Sequence, residues 1–337
     1  MTAPAELVTK LTIHQFQMII VFMKARRGFP DALAAVALPL LMVGCAAAGS
    51  GAAESTRPGV LEIIAAAYPF QFIAERVAAG HAVVSSLTQP GAEPHDLELG
   101  PRQVASIASA DFVIYERGFQ PVVDEAVAQS ENPDVLDTTT VVPLRVHDQQ
   151  DNSDEGHAHQ GAESGPDPHV WLDPLQVAVI ANSVADRLAA IDPAGAADYE
   201  ANVTRLDGQL TDLDARFHAG LASCERTEFI TTHAAFGYLA ERYGLSQIGI
   251  SGLSPDDEAS PARIAEIQQE AVAHGITTIF FETLVSPAVA EAVASDLGLV
   301  TDVLDPIEGI TAKSRGSDYL TVMAANLAAL RKANGCS

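Results

Sequence analysis

The sequence predicts an α/β protein of two lobes, each built on a mostly parallel sheet flanked by helices. Short apolar runs alternate with helical stretches in both halves of the chain, and parallel strands require such crossover helices. A long amphipathic stretch separates the two halves. With 337 residues, the chain is long enough to bury two cores.

Within residues 61–194 the apolar runs predict four strands, and several helical stretches begin at proline. The predicted strands are Leu61–Ala66, Val83–Leu87, Phe112–Tyr115 and Val135–Leu136. The predicted helices are Pro69–Ala79, Arg102–Ala108, Pro121–Gln129 and, after a polar segment at 147–166, about Leu175–Ala190. We therefore assign residues 61–194 to the N-terminal lobe.

A long helix is predicted over residues 195–222. Its apolar side chains recur every three or four residues and so share one face: Tyr199, Val203, Leu206, Leu210, Leu213, Phe217 and Leu221. At 1.5 Å per residue this helix is about 42 Å long. We interpret it as a stiff backbone that joins the two lobes.

Residues 223–337 repeat the alternation and are assigned to the C-terminal lobe. The predicted strands are Glu228–Thr232, Gln247–Ile250, Ile276–Phe281 and Val300–Leu304. The predicted helices are Ala234–Tyr243, Pro261–Ala273, one from Ser286-Pro287 to Leu297, and Tyr319–Lys332. In open parallel sheets the ligand crevice lies beyond the carboxyl ends of the strands.

The N-terminal 45 residues are typical of an export signal. A basic stretch at 24–27 precedes an apolar run at 32–43, which is too short to span a bilayer. The run ends at Gly44-Cys45 and resembles a bacterial lipoprotein signal, in which Cys45 is lipidated. Residues 46–60 then form a flexible tether.

Two departures leave alternatives open at the N-terminus. Met42 stands three residues before Cys45, where leucine is usual, so a cleaved secretory signal or an uncleaved anchor is the alternative. Met23 also precedes a complete signal and is a second candidate start.

The net charge limits the possible partners of the protein, and the cysteine content predicts a disulfide. The formal net charge is −25, and without residues 1–45 the chain keeps 15 basic and 42 acidic residues, a net charge of −27. This balance excludes nucleic acid as a partner, because phosphate binding needs a basic surface. Cys224 and Cys336 remain after the signal, and in an oxidising compartment we expect a disulfide between them, with two buried thiols as the alternative.

Histidines occur in two different settings. His147, His157 and His159 lie among acids in a polar run, which can collect a transition metal loosely. His95, His169 and His233 instead lie in short segments next to predicted strands, where both lobes face the crevice. Proline precedes His95 and His169, and Asp96 is placed to orient an imidazole. We expect these three imidazoles to form one metal site.

Six segments carry a resemblance to a known family. They are GAEPHDLEL (91–99), DPHVWLDP (167–174) with the acidic loop before it, TTHAAFGYLAERYGL (231–245), SGLSPDDEASP (251–261), FFETLVSP (280–287) and LDPIEGIT (304–311). The chain resembles the zinc-specific solute-binding proteins of bacterial ABC transporters, two-lobed metal-binding lipoproteins. The resemblance implies that His95, His169 and His233 are ligands and that a carboxylate at Asp305 is the fourth. Glu282 is expected near the metal, as a supporting or alternative ligand.

Three imidazoles and one carboxylate make a tetrahedral set suited to Zn²⁺, whereas Mn²⁺ prefers more oxygen ligands. Ligand type alone does not exclude Cu²⁺, Ni²⁺ or Co²⁺ as the bound ion. The resemblance implies an exported, lipid-anchored monomer that delivers Zn²⁺ to a permease and its ATPase. A receptor for manganese or another metal and a surface adhesin are the alternatives within the family. An exported zinc hydrolase or lyase is a remote alternative, since the sequence lacks a His-Glu-x-x-His motif.

Overall fold

A computed structural model describes residues 59–146, 165–257 and 259–337. Its N-terminal part contains a four-stranded parallel sheet in the order β2-β1-β3-β4. The strands are β1 (Leu61–Ala65), β2 (Ala82–Ser86), β3 (Phe112–Tyr115) and β4 (Val135–Asp137). The central strand β3 is buried along its whole length, as expected for a parallel strand covered on both faces.

Four helices belong to this sheet, and each carries a proline in its first turn. They are α1 (Tyr68–Ala78), α2 (Pro101–Ser109), α3 (Pro121–Ser130) and α4 (Pro174–Ile191). Proline is favourable there because its missing N–H has no partner within the helix anyway. The predicted order of strands and helices is confirmed for this part of the chain, with shifts of one or two residues at the ends.

The long helix α5 covers Ala196–Leu221, 26 residues, or about 39 Å. Its buried residues are the seven predicted from their spacing: Tyr199, Val203, Leu206, Leu210, Leu213, Phe217 and Leu221. The helix packs against α1 and α4 of the N-terminal part and against the last helix of the chain, α9 (Tyr319–Asn334). It therefore connects the two lobes through side-chain packing as well as through the chain.

The C-terminal part holds a second four-stranded parallel sheet, in the order β10-β9-β7-β8. Its strands are β7 (Glu228–Thr231), β8 (Ser246–Gly249), β9 (Thr278–Phe281) and β10 (Val300–Val303). Its remaining helices are α6 (Gly237–Tyr243), α7 (Pro261–Ala273) and α8 (Ala288–Leu297). The predicted α/β class with two parallel sheets is confirmed.

Helix α6 begins three residues later than predicted, at Gly237 instead of Ala234. The backbone before it is held in a turn: the hydroxyl of Thr231 donates to the carbonyl of His233 (2.6 Å), and the N–H of Ala234 donates to the carbonyl of Gly252 (2.7 Å). These groups are therefore not free to form helical hydrogen bonds, and the turn holds His233 at the end of β7.

A short antiparallel pair was not predicted. Strand β5 (Arg145–Val146) pairs with β6 (Pro166–Asp167), so the two ends of the polar segment lie side by side. Two residues per strand are too few to give a recognisable alternation of apolar and polar side chains. The pair matters for the site because Asp167 immediately precedes the segment that carries His169.

Buried apolar side chains of both lobes form one continuous core, which includes Phe70, Trp171, Leu206, Phe229 and Tyr319. A smaller cluster packs between the second sheet and helices α7 and α8, with Ile230, Ile267, Ile279 and Val293 among its members. Separating the lobes would expose part of the shared core, at a cost of about 25 cal/mol for each Å² of apolar surface.

The predicted disulfide between Cys224 and Cys336 is present, with an S–S distance of 2.00 Å. It links the residues that follow α5 to the end of the chain. A cross-link closing a loop of 112 residues stabilises a fold by about 2–4 kcal/mol, mainly by restricting the unfolded chain.

Several predictions fall outside the described residues: the export signal, lipidation of Cys45, most of the tether at 46–60, and the auxiliary histidines His147, His157 and His159. Among the residues that are described, no helix combines the length and the apolar character needed to cross a membrane.

Candidate metal centre

Three imidazoles and one carboxylate converge in the crevice between the two sheets. One ligand atom from each of His95, His169, His233 and Glu308 lies within 4.8 Å of all the others. His95 is in the loop after β2, and His233 is in the turn after β7. His169 lies just after β6, and Glu308 is in the loop after β10. The structure thus brings together the three predicted histidines, from both lobes.

The distances centre on one carboxylate oxygen. Oε1 of Glu308 lies 3.4 Å from Nε2 of His95, 3.1 Å from Nε2 of His169 and 3.5 Å from Nε2 of His233. Three nitrogens and one oxygen that face each other in this way match the donors of a tetrahedral zinc site. The donor set therefore fits a metal ion of borderline softness.

Burial differs among the four side chains. His169 and Glu308 are fully buried and His233 is 1% exposed, whereas the side chain of His95 is 11% exposed. His95 is therefore the member of the group in contact with solvent.

Two carboxylates orient the buried imidazoles. Nδ1 of His169 is 2.8 Å from Oδ1 of Asp167, and Nδ1 of His233 is 2.7 Å from Oε1 of Glu282. When Nδ1–H donates to a carboxylate, the lone pair of Nε2 is left to bind a metal. Glu282 thus lies where a supporting residue was expected. Asp167 was missed, although an acid two residues before a predicted ligand histidine is a signal that could have found it.

The surrounding carboxylates favour the protonated forms of His169 and His233. Burial lowers the pKa of His233, but the charge of Glu282 and hydrogen bonds with Glu282 and Glu308 raise it well above its usual range. Burial lowers the pKa of His169, but hydrogen bonds with Asp167 and Glu308 raise it. The net effect is a raised pKa. Burial raises the pKa of Glu308, but hydrogen bonds with three imidazoles hold it well below its usual range. A bound cation can replace the protons that these imidazoles carry.

A fourth carboxylate, Glu93, lies close to the group. Burial, followed by the charge of Glu308, raises the pKa of Glu93 to about 8. One oxygen of Glu93 accepts a hydrogen bond from the backbone N–H of His95, at 3.2 Å. Glu93 was not predicted as part of the site.

The carboxylate in the cluster is Glu308, and the predicted fourth ligand, Asp305, lies outside this group of four. Asp305 is buried, but its carboxylate accepts hydrogen bonds from the Thr283 hydroxyl (3.1 Å) and the Ile307 N–H (2.9 Å). Asn326 binds both backbone groups of Asp305, at 2.9 and 2.7 Å. Asp305 therefore stabilises the loop after β10.

The backbone at Ile307 explains why the later acid reaches the cluster. Ile307 has a φ of +62°, which is unfavourable for a β-branched residue. The hydrogen bond from its N–H to Asp305 holds this turn, and the next residue is Glu308. Both acids lie within the segment Asp305-Pro306-Ile307-Glu308. The left-handed turn at Ile307 decides which of them reaches the cluster, and the sequence alone does not show that turn.

Asp96 takes a different place from the one predicted. It is exposed, and a hydrogen bond with Asp96 is the main cause of the raised pKa of Asp256. Among the hydrogen bonds of the described residues, none joins Asp96 to an imidazole.

Aromatic side chains surround the imidazoles and join the lobes. The Trp171 ring lies 5.4 Å from that of His169, and the Phe119 ring lies 4.9 Å from that of His95. The indole N–H of Trp171 donates to the carbonyl of Pro306 at 2.7 Å, and the Tyr319 hydroxyl donates to the carbonyl of Trp171 at 2.7 Å. The loops that carry His169 and Glu308 are therefore tied directly together.

The chain matches known proteins over most of its described length. A family model described as "ZnuA: Zinc-uptake complex component A periplasmic" matches residues 63–333. The zinc-binding lipoprotein AdcA of Streptococcus pneumoniae is 34% identical over 279 residues, which cover 81% of this chain and 56% of AdcA. The chain thus spans little more than half the length of that relative.

A relative of similar length and a solved structure agree with this match. The high-affinity zinc uptake system protein ZnuA of Bacillus subtilis is 30% identical over 298 residues, which cover 87% of this chain and 93% of that protein. The crystal structure of the Zn(II)-bound ZnuA-like domain of Streptococcus pneumoniae AdcA has a TM-score of 0.68 and 32% identity, covering 82% of this chain and 99% of that domain. The chain belongs to the ZnuA family of zinc-uptake components.

Proposed function

We propose that this protein is an extracytoplasmic receptor that binds Zn²⁺ through His95, His169, His233 and Glu308 and delivers it to an ABC importer. The observation that carries the proposal is the convergence of three Nε2 atoms on Oε1 of Glu308, at 3.1–3.5 Å. Relatives named for zinc binding and zinc uptake support it.

The donor set favours zinc over harder ions. Three neutral imidazoles and one carboxylate complete a tetrahedral shell, whereas Mn²⁺ prefers a larger number of oxygen ligands. Asp167 and Glu282 support the same choice, since a carboxylate behind a ligand histidine raises the basicity of the imidazole. Zinc held by four protein ligands has no position open for a reacting water, so the site suits capture of the ion and not hydrolysis.

The proposed partners follow from the role of a zinc receptor. We propose that a permease and its ATPase accept the ion and that lipid attached to Cys45 holds the protein on the outer face of the cytoplasmic membrane. Relatives described as zinc-binding lipoproteins support this location. Because the side chain of His95 is the partly exposed one in the group, transfer to the permease begins on that side.

Titration calorimetry with Zn²⁺ tests the binding role. The variants H95A, H169A and H233A each remove one ligand, and H218A removes a histidine whose side chain is 55% exposed on α5. We expect tight binding of one zinc ion in the parent protein and in H218A, and a loss of at least about tenfold in each ligand variant. Tight binding that survives all three ligand substitutions contradicts the assignment.

Growth in zinc-depleted medium tests the delivery role. Cells that lack the gene should need added zinc, and the H169A variant should fail to restore growth while H218A restores it. Full restoration by a variant that no longer binds zinc contradicts a role in delivery.

A further inference from the structure

Three carboxylates lie beside the imidazole cluster and form a group of their own. Glu93, Glu282 and Glu308 each offer one oxygen within 4.8 Å of the others. They come from three separate loops, after β2, β9 and β10. Only Glu308 is shared with the four proposed zinc ligands.

The two oxygens of each carboxylate have different surroundings. Oε1 of Glu93 accepts from the N–H of His95, Oε1 of Glu282 is 2.7 Å from Nδ1 of His233, and Oε1 of Glu308 faces the imidazoles. In all three residues Oε2 is buried and has no hydrogen-bond partner among the described residues. A buried carboxylate oxygen without a donor is costly, and most such oxygens in proteins are paired or bind a metal.

The charges around these three carboxyl groups also favour a bound cation. Among the described residues, no lysine or arginine forms an ion pair with any of these three carboxylates. Imidazoles pair with Glu282 and Glu308, and Glu93 forms no ion pair. Imidazoles that bind a metal are neutral. One divalent ion in the imidazole cluster therefore brings only two positive charges to a group of three carboxyl groups.

We propose that Glu93, Glu282 and Glu308 hold a second divalent cation through oxygen atoms alone. The ligand class is that of hard ions such as Mn²⁺, Mg²⁺ and Ca²⁺, which differs from the imidazole-rich set next to it. A hard ion binds there more weakly than Zn²⁺ binds in the imidazole cluster, since the group supplies three ligands and water completes the shell. The position does not depend on which metal the imidazole cluster prefers.

Titration of the metal-free protein with Mn²⁺, followed by electron paramagnetic resonance, tests the proposal. The variant E93Q keeps a carbonyl oxygen to accept the N–H of His95 but removes the charge and the anionic ligand. The matched control is D96N, which removes an exposed carboxylate three residues away. We expect E93Q to weaken Mn²⁺ binding at least about tenfold more than it weakens Zn²⁺ binding, and D96N to change neither appreciably.

Two outcomes overturn the proposal: no Mn²⁺ binding by the parent protein, or Mn²⁺ binding that is lost in H169A and kept in E93Q. A second readout needs no variant. Pulsed resonance spectra of the parent protein with one equivalent of Mn²⁺ should lack strong coupling to imidazole nitrogen, and strong coupling places the ion in the imidazole cluster instead. Neither result alters the zinc titrations of the histidine variants, so the two assignments fail separately.

Discussion

Nε2 of His169 lies 3.1 Å from Oε1 of Glu308, although the two residues are 139 positions apart in the sequence. His169 follows the short strand β6, and Glu308 follows β10 of the other lobe. Both side chains are fully buried. This contact fixes the position of the proposed zinc ion between the lobes, and the hydrogen bond from Trp171 to the carbonyl of Pro306 holds the two loops in register.

Substituting the two acids after β10 separates their roles. E308Q should weaken zinc binding more than about tenfold, because it removes the anionic ligand at the centre of the cluster. D305N should weaken zinc binding less than E308Q does and lower the thermal stability, since the carboxylate of Asp305 accepts two hydrogen bonds within the loop that positions Glu308. Calorimetric zinc titration and thermal unfolding measure both effects. A larger loss of affinity in D305N than in E308Q contradicts the assignment.

The carboxylates behind the imidazoles should tune affinity without changing the number of bound ions. D167N and E282Q each weaken the polarisation of one ligand histidine, and we expect a loss of zinc affinity of about 10–100-fold with one ion still bound. D173A is the control on the same segment: Asp173 caps helix α4, so removing the cap should cost about 1 kcal/mol of stability with zinc affinity kept. Equal zinc affinities in all three variants rule out an orienting role.

Zinc affinity should rise with pH. His169 and His233 have raised pKa values in the metal-free protein, so zinc must displace protons from them at and below neutral pH. Titrations between about pH 5.5 and about pH 8 should show increasing affinity, and the measured heat should vary with the ionisation enthalpy of the buffer that takes up the released protons. Zinc affinity that stays constant across this range contradicts neutral imidazole ligands.

The stability of the metal-free protein should follow the opposite trend. A raised histidine pKa contributes stability below the unfolded value of about 6.5, and this contribution is lost as the pH rises through the folded pKa. The lowered pKa of Glu308 contributes stability above about pH 4.3, which is lost as the pH falls through its folded pKa. The difference in melting temperature between zinc-loaded and metal-free protein should therefore widen from mildly acidic to mildly alkaline pH.

Deletion of residues 147–160 tests whether the polar run is needed for the main site. Val146 and Pro166 are paired across β5 and β6, so the remaining residues can still connect the two strands. We expect the affinity of the main site to persist and additional, weaker zinc equivalents to disappear with His147, His157 and His159. Metal analysis after dialysis counts the equivalents. A collapse of tight binding on deletion means that the polar run contributes to the main site.

Much of the fold could be predicted because its signals are local. The buried face of α5 follows from the spacing of Tyr199, Val203 and Leu206 and the residues after them, and the parallel sheets follow from apolar runs alternating with helices. The start of α6 was wrong by three residues, because the turn at His233 depends on hydrogen bonds to Gly252 and Gln247 from elsewhere in the lobe. The pair β5–β6 was missed because two-residue strands carry no pattern.

The candidate site likewise combines residues that local sequence patterns predict with residues that only the folded structure brings into place. His95 and His233 could be predicted since each lies in a loop after a strand of a parallel sheet, and His169 from the rigid Asp-Pro-His segment that carries it. The fourth member of the cluster depends on the positive φ of Ile307, which directs the chain so that Glu308 reaches the imidazoles and Asp305 does not. The place of Glu93 beside Glu282 and Glu308 likewise depends on distances between loops that no local pattern encodes, whereas Asp167 lies only two residues before His169.

A crystal structure of the zinc-loaded protein, with anomalous diffraction recorded at the zinc edge, identifies the side chains that hold the ion. We expect one strong peak about 2.0–2.2 Å from Nε2 of His95, His169 and His233 and from a carboxylate oxygen of Glu308. A peak coordinated by Asp305 in place of Glu308, or one that lies outside this group of four residues, contradicts the assignment.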